Sequence, residues 1–337
     1  MANNKHVYHV CGSPTSEFFH ELSLVYAKNT ILPKGWKEDF IVIEPSGSWR
    51  TGHSLSQLSD ARASKEIIND LHKGSFIVPH LFCYEGMTAC RDFFEKKLSF
   101  KMIGSPGSVM ALAADKNRTR QCVVQNGVNI ADGGLTSEID VQLLSFPIII
   151  KPNKQDNSVG LTMVTRPNEL QRAIELAEAA DISVLAEKYI HGREIRVAVL
   201  ETTKGYLIPP IIEYLVTPQN PIRTTSDKLE IDTMGKPQDQ ALSTPVKMVC
   251  PADIDCDLYE VIRSQALSAH KAIGARHYSL FDFRIEHGSN RPFFLEAGLF
   301  WSFSNAAMIT KMLRAGSMDI PSIIKDVWEC SDFVGEH

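Results

Sequence analysis

The sequence predicts an α/β protein with more than one lobe and an open, parallel sheet near its N-terminus. Two observations favour this fold class. Strand-like and helix-like segments alternate over the first hundred residues, which is typical of a parallel sheet covered by helices. An antiparallel hairpin pattern follows much later, within residues 278–304. The 337 residues suffice for a large core divided among two or three lobes.

Composition and charge exclude several classes of protein. The hydrophobic content of 44% and the charged content of 22% are typical of a globular protein. The net charge of -5 and the lack of a Lys/Arg-rich tract argue against nucleic-acid binding. No apolar run is long enough to span a membrane, and the N-terminus lacks a signal core, so we expect a cytoplasmic protein. Seven scattered cysteines predict reduced thiols and no zinc site.

The first hundred residues indicate the N-terminal lobe. Its predicted strands and helices are Val7–Cys11, Glu17–Ala27, Phe40–Ile43, Ser59–Leu71 and Phe76–Val78. A polar Gly-Ser turn follows the first strand, where open α/β sheets place their ligands. Glu17 is therefore a candidate partner for a substrate amine. A role for Glu17 at the helix N-terminus remains equally open.

The next region carries two lysines suited to phosphate. Ile103–Gly107 interrupts the strand–helix alternation, and a helix over Met110–Arg120 with a basic end follows. Lys116 in this helix is a candidate phosphate ligand or a solvated surface lysine. The apolar strand 146–152 delivers Lys151 to a small, polar loop over 153–160, whose backbone N–H groups could cradle phosphate oxygens. The loop is not a P-loop, and a plain turn between strands remains the alternative.

Two further strands suggest walls for a nucleoside. The first covers Val184–Ile190, and the second covers Glu194–Leu200. Where the first strand ends, Ile190 offers an apolar wall and the main chain offers hydrogen bonds to an adenine. Glu194 is a candidate acceptor for ribose hydroxyls. A simple hairpin with exposed charges is the alternative.

A long polar segment and a terminal hairpin complete the candidate site. Residues 217–240 are too long for a simple connection, so we interpret them as a lid in which Arg223 and Lys228 approach an anionic substrate. A hairpin with strands over 280–285 and 292–295 brings Asp282 opposite or nearly opposite Glu296, with Arg284 on the face of Asp282. This carboxylate pair suits Mg²⁺, although a solvated face with a surface salt bridge is the alternative.

These motifs together resemble a known family. The ordered set is Lys151-Pro with its Ser/Gly loop, Glu187-Lys188-Tyr189-Ile190-x-Gly192-x-Glu194, Asp282 and Glu296. The set resembles the ATP-grasp ligases of the D-alanine–D-alanine ligase type. The resemblance implies an N-terminal α/β domain over 1–104, a central ATP-grasp lobe over 105–188 and a C-terminal lobe over 189–337. It also implies ATP bound between the last two lobes, together with Mg²⁺.

The resemblance assigns roles residue by residue. It implies that phosphates are bound by Lys116, Lys151 and the loop containing Ser158, adenine by Glu187, Lys188 and Ile190, ribose by Glu194, metal by Asp282 and Glu296, and substrate by Glu17, Arg223, Ser302 and Ser304. Lys228 resembles the lid lysine near the γ-phosphate. We expect Arg284, Lys228 and Ser158 to take part in catalysis.

The sequence departs from the family pattern at three positions. The family has Glu-x-Asn at the second metal position, whereas this chain has Gly298 in place of the asparagine. The family's catalytic arginine lies two residues before the metal aspartate, where this chain has Leu280, so Arg284 is expected to substitute. Phe300-Trp301-Ser302 replaces the Ser-Pro-Gly of the family. An acceptor other than D-alanine is therefore expected.

A closer resemblance concerns the acceptor. The segments are His9–Ser13, Glu213–Pro218, Pro221–Arg223, Ser226–Leu229, Arg276–Arg284 and Phe294–Leu299. They are similar to the ligases that make disubstituted mycosporine-like amino acids. This implies an ATP-dependent carbon–nitrogen ligase that joins an amino acid to mycosporine-glycine, a cyclohexenone acceptor. A dipeptide ligase with a carboxylate acceptor is the alternative, and a nucleotide-binding module without catalysis is the rival. The oligomeric state is open, with a homodimer as one expectation.

Overall fold

The computed structural model describes residues 5–224 and 247–330. Its strands are β1 Lys5–Gly12, β2 Trp36–Ile43, β3 Trp49–Gly52, β4 Phe76–Pro79, β5 Lys101–Met102, β6 Gly133–Leu135, β7 Ile148–Pro152, β8 Thr162–Val164, β9 Val184–Lys188, β10 Gly192–Thr202, β11 Gly205–Leu207, β12 Ile212–Tyr214, β13 Met248–Val249, β14 Tyr278–Glu286 and β15 Pro292–Gly298. Its α-helices are α1 Glu17–Ala27, α2 Ser64–Asp70, α3 Gly107–Ala114, α4 Lys116–Val124, α5 Leu170–Glu178, α6 Cys256–Ala272, α7 Met308–Ala315 and α8 Ile320–Cys330.

The N-terminal sheet has the strand order β3-β2-β1-β4-β5. Strand β1 pairs in parallel with β2 and β4, and β4 pairs in parallel with β5, as the alternation of strands and helices predicts. Strand β3 was not predicted, and it pairs antiparallel with β2. The α/β fold class is confirmed by this mixture of helices and sheets and by the solved structures described below.

Two antiparallel sheets follow in the chain. The four-stranded sheet has the order β6-β9-β7-β8, and the larger sheet has the order β13-β12-β10-β14-β15 with β11 beside β10. The predicted hairpin is present, since β14 and β15 pair antiparallel around residues 287–291. The last strand of the N-terminal sheet, β5, ends at Met102, and the last strand of the four-stranded sheet, β9, ends at Lys188. Both ends lie close to the predicted domain limits of 104 and 188. The domain division itself stays a prediction.

The predicted helix over 110–120 is two helices. It breaks at Asp115, whose side chain accepts a hydrogen bond from the backbone N–H of Arg118 and caps α4. The carboxylate of Asp115 also accepts from the side-chain amide of Asn153 at 2.9 Å. The break thus fixes the start of α4, and with it Lys116, against the loop that follows β7.

The largest hydrophobic core joins distant parts of the chain. Val7 of β1 and Trp36 of β2 pack in one cluster with Tyr278 of β14 and with Trp328 of α8, which is fully buried. Rings of Trp36 and Trp328 lie 5.0 Å apart edge to face. The C-terminal helix therefore packs against the first sheet, which holds the N-terminal loops near the ends of β14 and β15.

Candidate active site

A cavity lies between the four-stranded and the larger sheet, and we call it the inter-sheet cavity. Its lining includes Lys116, Ile149, Lys151, Ser158, Glu187, Lys188, Tyr189, Ile190, Glu194, Arg223, Asp282, Arg284, Leu295 and Glu296. Most of the residues that were predicted to bind a nucleotide thus surround one space. The lining combines apolar walls with nine charged side chains, and such a convergence of polar groups in a concave space indicates a candidate small-molecule site.

Glu187 is buried at the base of this cavity between two cations. Lys151 on β7 and Arg120 on α4 both form ion pairs with its carboxylate. Burial alone would raise the pKa of Glu187, but the charges of Lys151 and Arg120 outweigh burial and hold that pKa below its ordinary value. Lys151 lines the cavity itself, so Glu187 orients this lysine for an anionic ligand.

The loop after β7 contains two consecutive residues with left-handed backbone. Asn157 and Ser158 have φ of 56° and 60°, in the left-handed region that side chains seldom adopt. The hydroxyl of Ser158 donates to the carbonyl oxygen of Arg223 at 2.9 Å, which ties the loop to the segment before residue 225. The ammonium of Lys116 donates to the carbonyl oxygen of Gln155. Lys116 and the loop therefore meet, as the sequence predicts.

A second cavity of about 520 Å³ adjoins the first, and we call it the junction cavity. Its walls come from the N-terminal loops and α1, from α3, and from the chain after β15. Its lining includes Thr15, Phe19, Tyr26, Phe82, Glu85, Met110, Lys116, Gln155, Arg196, Tyr214, Arg223, Leu280, Asp282, Glu296, Gly298, Phe300, Trp301 and Ser302. Lys116, Gln155, Arg223, Asp282 and Glu296 line both cavities.

The predicted pairing of Asp282 with Glu296 is confirmed. The two residues are directly opposite in the β14–β15 register, which then shifts by one residue. Leu295 is the extra residue on β15, and both Leu295 and Glu296 line the inter-sheet cavity, whereas Phe294 is buried in the core. The bulge thus turns the Glu296 carboxylate to the border of the two cavities.

Asp282 is held by two arginines. Arg196 on β10 donates from Nε and Nη2 to the two carboxylate oxygens at 2.6 and 2.7 Å. Arg223 donates from Nη2 to Oδ2 at 2.9 Å, and its guanidinium stacks on the ring of Tyr214 at 3.7 Å. Burial would raise the pKa of Asp282, but the two guanidinium groups outweigh it and lower that pKa. Asp282 is therefore an ionised, fully hydrogen-bonded carboxylate.

Arg284 lies away from the junction cavity. It shares a face with Asp282 as predicted, but it lines only the inter-sheet cavity. Its Nη2 donates to the carbonyl oxygen of Pro221 at 2.6 Å, and its guanidinium lies 4.7 Å from the centre of the Tyr189 ring. Leu280, the position of the family's arginine, is four residues and about 13 Å from Arg284 along β14, so the substitution of Arg284 for that arginine stays a prediction.

The remaining predicted residues are Glu17, Ser302, Ser304 and Lys228. Glu17 is exposed at the start of α1 and lies outside the lining of both cavities, so the helix-terminus alternative fits it better. Ser302 lines the junction cavity as predicted, whereas Ser304 is fully buried behind it with its hydroxyl 2.9 Å from that of Ser302. Lys228 lies outside the residues that the structure describes.

Sequence reasoning assigned no role to Arg120, Arg196 or Glu85. Arg120 is buried against Glu187, Arg196 binds Asp282, and Glu85 lines the junction cavity, where it accepts from the hydroxyl of Thr15 at 3.3 Å. Only Arg196 had a usable signal, since it alternates with Glu194 on β10. Locating its partner required the pairing of β10 with β14.

The carboxylates fit one divalent cation better than two. Among the described residues, no group of three or more His, Cys, Asp or Glu side chains is arranged to hold a metal. Both oxygens of Asp282 already accept from arginine, and Gly298 has no side-chain oxygen to contribute. Glu296 lines both cavities and would hold such a cation together with phosphate and water, which commonly complete the shell of Mg²⁺.

This combination of sheets and cavities defines the class of fold. A cleft between two antiparallel sheets, preceded by a parallel α/β sheet, is the ATP-grasp architecture. The family model described as D-ala D-ala ligase C-terminus matches residues 132–329, which is more than half of the chain. The chain therefore belongs to the D-alanine–D-alanine ligase family of ATP-grasp proteins.

Relatives and solved structures agree with this membership. The D-alanine–D-alanine ligase of Prosthecochloris aestuarii is 28% identical over 90% of this chain and 92% of its own length. The enzyme of Chlorobaculum parvum is 28% identical over 64% of this chain, but the match covers only 58% of that enzyme's length. The enzyme of Chlorobium chlorochromatii is 27% identical over 65% of this chain, and the match covers 60% of that enzyme's length.

The fold likeness extends over nearly the whole chain. The VanG D-Ala:D-Ser ligase of Enterococcus faecalis superimposes with a TM-score of 0.76 at 20% identity, over 98% of this chain and 100% of that one. The ATP complex of the Bacillus anthracis D-alanine–D-alanine ligase gives a TM-score of 0.70 at 17% identity, with 98% of each chain covered. In residues 5–224 and 247–330, each helix is too short or too polar to cross a bilayer.

Proposed function

We propose that this protein is an ATP-dependent carbon–nitrogen ligase that activates an acceptor molecule by phosphorylating one of its oxygens and then forms a C–N bond between that acceptor and an amino acid. One observation carries the proposal: the two cavities meet at a lysine, an arginine and two carboxylates. A nucleotide in one cavity and an acceptor in the other would place the γ-phosphate and the acceptor oxygen at this border.

The inter-sheet cavity fits ATP in its layout. Ile190 and the end of β9 would bind the adenine, with Glu187 and Lys188 beside it, and Glu194 would accept from the ribose. Lys116, Lys151 and the loop with Ser158 would bind the phosphates. The names of the relatives and the nucleotide in the Bacillus anthracis structure support this assignment.

A single Mg²⁺ on Glu296, near Asp282, would offset phosphate charge when ATP binds. The rest of the chemistry follows from the protein's own groups. The acceptor oxygen attacks the γ-phosphorus, the bond from that phosphorus to ADP breaks, and ADP leaves with the electron pair. The amino-acid nitrogen then attacks the activated carbon, the C–N bond forms, phosphate leaves and the amine loses a proton. Lys116 at the border stabilises the transferring group.

The acceptor class has two candidates. The relatives are named D-alanine–D-alanine ligases, which favours an amino-acid carboxylate as the acceptor and hence a dipeptide product. A cyclohexenone such as mycosporine-glycine is favoured by the sequence resemblance and by the aromatic walls of the junction cavity. The rings of Phe82 and Tyr26 lie 5.0 Å apart, and those of Phe82 and Phe300 lie 5.7 Å apart. Such walls suit a flat ring.

The test supplies ATP and Mg²⁺ with a panel of amino acids, with and without mycosporine-glycine. ADP release and product mass are measured. A dipeptide mass supports the first acceptor class, and a mycosporine-glycine adduct with its shifted absorbance supports the second. ATP binding without any amino-acid-dependent ADP release would contradict a ligase and favour a nucleotide-binding module. A protein that does not bind ATP with Mg²⁺ would contradict both.

A further inference from the structure

We propose that Arg196 is a catalytic residue whose guanidinium contacts the acceptor oxygen that receives the γ-phosphoryl group. This inference rests on the proposed function and deepens it. It moves the acceptor-side positive charge from β14, where sequence reasoning placed it, to the neighbouring strand β10.

The strand register places Arg196 on the acceptor side of the carboxylates. Along β10 and β14, Glu194 is opposite Arg284, Arg196 is opposite Asp282 and Ala198 is opposite Leu280. Of these residues, Arg284 and Glu194 line only the inter-sheet cavity, whereas Arg196 and Leu280 line only the junction cavity. Asp282 lines both and marks the border between them.

The hydrogen bonds of Arg196 leave one edge of its guanidinium for a ligand. Nε and Nη2 form a two-point contact with Asp282, which fixes the plane of the group. Among the residues that the structure describes, none accepts a hydrogen bond from Nη1. The side chain is 20% exposed, compared with 3% for Asp282, so the group is anchored yet accessible from the cavity.

The other two guanidinium groups nearby are already committed. Arg284 is 4% exposed, donates to Pro221 and lies 3.7 Å from the carboxylate of Glu194. Arg223 is 3% exposed, bridges Glu194 and Asp282, and stacks on Tyr214. Arg196 is therefore the arginine that an acceptor can reach without breaking a buried ion pair.

A fixed positive charge at this place has a clear chemical use. When the acceptor oxygen bonds to the γ-phosphorus and the bond to ADP breaks, negative charge accumulates between the two cavities, and Arg196 stabilises it without transferring a proton. Leu280 provides no charge, although it lies on the same wall. Burial disfavours the charged form of Arg196, but the Asp282 carboxylate outweighs burial and raises the pKa of the guanidinium, so it stays charged.

The experiment compares Arg196→Ala and Arg196→Lys with Arg193→Ala. Arg193 is a matched control, because it lies on the same strand, makes a two-point ion pair with Glu213 at 2.8 and 2.6 Å, and is outside both cavity linings. For each folded variant we measure ATP affinity, kcat, the KM of the acceptor, and rescue by methylguanidinium.

We expect Arg196→Ala to lower kcat by about 10²–10³-fold, the usual effect of losing one such group, while ATP affinity changes less than about threefold. Methylguanidinium should restore part of this loss. Arg196→Lys keeps a positive charge beside Asp282, so the variant should fold. Because lysine lacks the planar, two-point geometry of a guanidinium, kcat of this variant should decrease at least about tenfold. Arg193→Ala should retain wild-type kcat.

Two results would overturn the assignment. One is a folded Arg196→Lys protein, or a folded Arg196→Ala protein, with kcat within about threefold of wild type. The other is a loss confined to ATP affinity, which would make Arg196 a nucleotide ligand. Failure of the proposed function looks different, because wild-type protein itself would then show no amino-acid-dependent ADP release, and both ideas would fall together.

Discussion

Replacing Gly298 by asparagine should create a side-chain oxygen two residues from Glu296 on the same face of β15. The structure has room for it. A Cβ at position 298 would lie 3.8 Å from Cδ2 of Phe300 and 3.9 Å from Cβ of Leu280, which is ordinary van der Waals contact. Since glycine in a strand costs about 0.5–1 kcal/mol, Gly298→Asn should leave the free energy of unfolding within ~1 kcal/mol of wild type.

The effect on Mg²⁺ should be larger than the effect on stability. A polar contact to a charged group contributes about 1.5 kcal/mol or more, which corresponds to roughly tenfold in affinity. Amide oxygen is a suitable ligand for this cation. We therefore expect the Mg²⁺ concentration that half-saturates ATP binding to fall about tenfold in Gly298→Asn.

The assay titrates Mg²⁺ against a fluorescent ATP analogue. Gly298→Ala is the matched control, because it adds the Cβ without the oxygen. If Gly298→Asn and Gly298→Ala share the wild-type Mg²⁺ dependence while both are folded, then no phosphate-bound cation lies within reach of position 298. The placement of the cation at Glu296 would then be refuted.

Two other variants test the charge arrangement. Lys151→Met and Arg120→Met each remove one of the two cations from Glu187, so each should lower the free energy of unfolding by about 1–3 kcal/mol in chemical denaturation. Only Lys151→Met should also weaken ATP binding, by about tenfold or more, and equal losses of affinity would contradict the phosphate role of Lys151. Burial first and Arg276 second lower the pKa of His277 to about 3, so the folded protein keeps this ring neutral. Below pH 6.5 only the unfolded chain binds a proton at His277, so the free energy of unfolding of wild type should decrease by about 2.7 kcal/mol from this group by about pH 4.5. The free energy of unfolding of His277→Asn should decrease less over the same pH range. An equal dependence of the two free energies on pH would contradict this prediction.

Much of the candidate site could be predicted because its parts are local. The turn after Glu286 and the alternation of β14 and β15 predict the hairpin, and a hairpin determines which residues are opposite each other. Asp282 and Glu296 follow from that. The loop after Lys151 is likewise a short segment whose small, polar residues predict its conformation.

Arg196 and Arg120 could not be predicted because their partners are distant in the chain. Arg196 and Asp282 are 86 residues apart, and the contact depends on the register of β10 against β14. Arg120 reaches Glu187 across 67 residues only because α4 begins where Asp115 breaks the preceding helix. No local pattern specifies such contacts, since many registers satisfy the same alternation.

The sequence by itself determined the alternation of strands and helices near the N-terminus, the paired carboxylates and the family to which the chain is similar. The tertiary structure alone decided which side of those carboxylates each arginine occupies. The physical reason is that alternation along a strand determines only the face of a side chain. The cavity that this face meets depends on where the neighbouring sheet and the N-terminal loops pack, and long-range packing determines that placement.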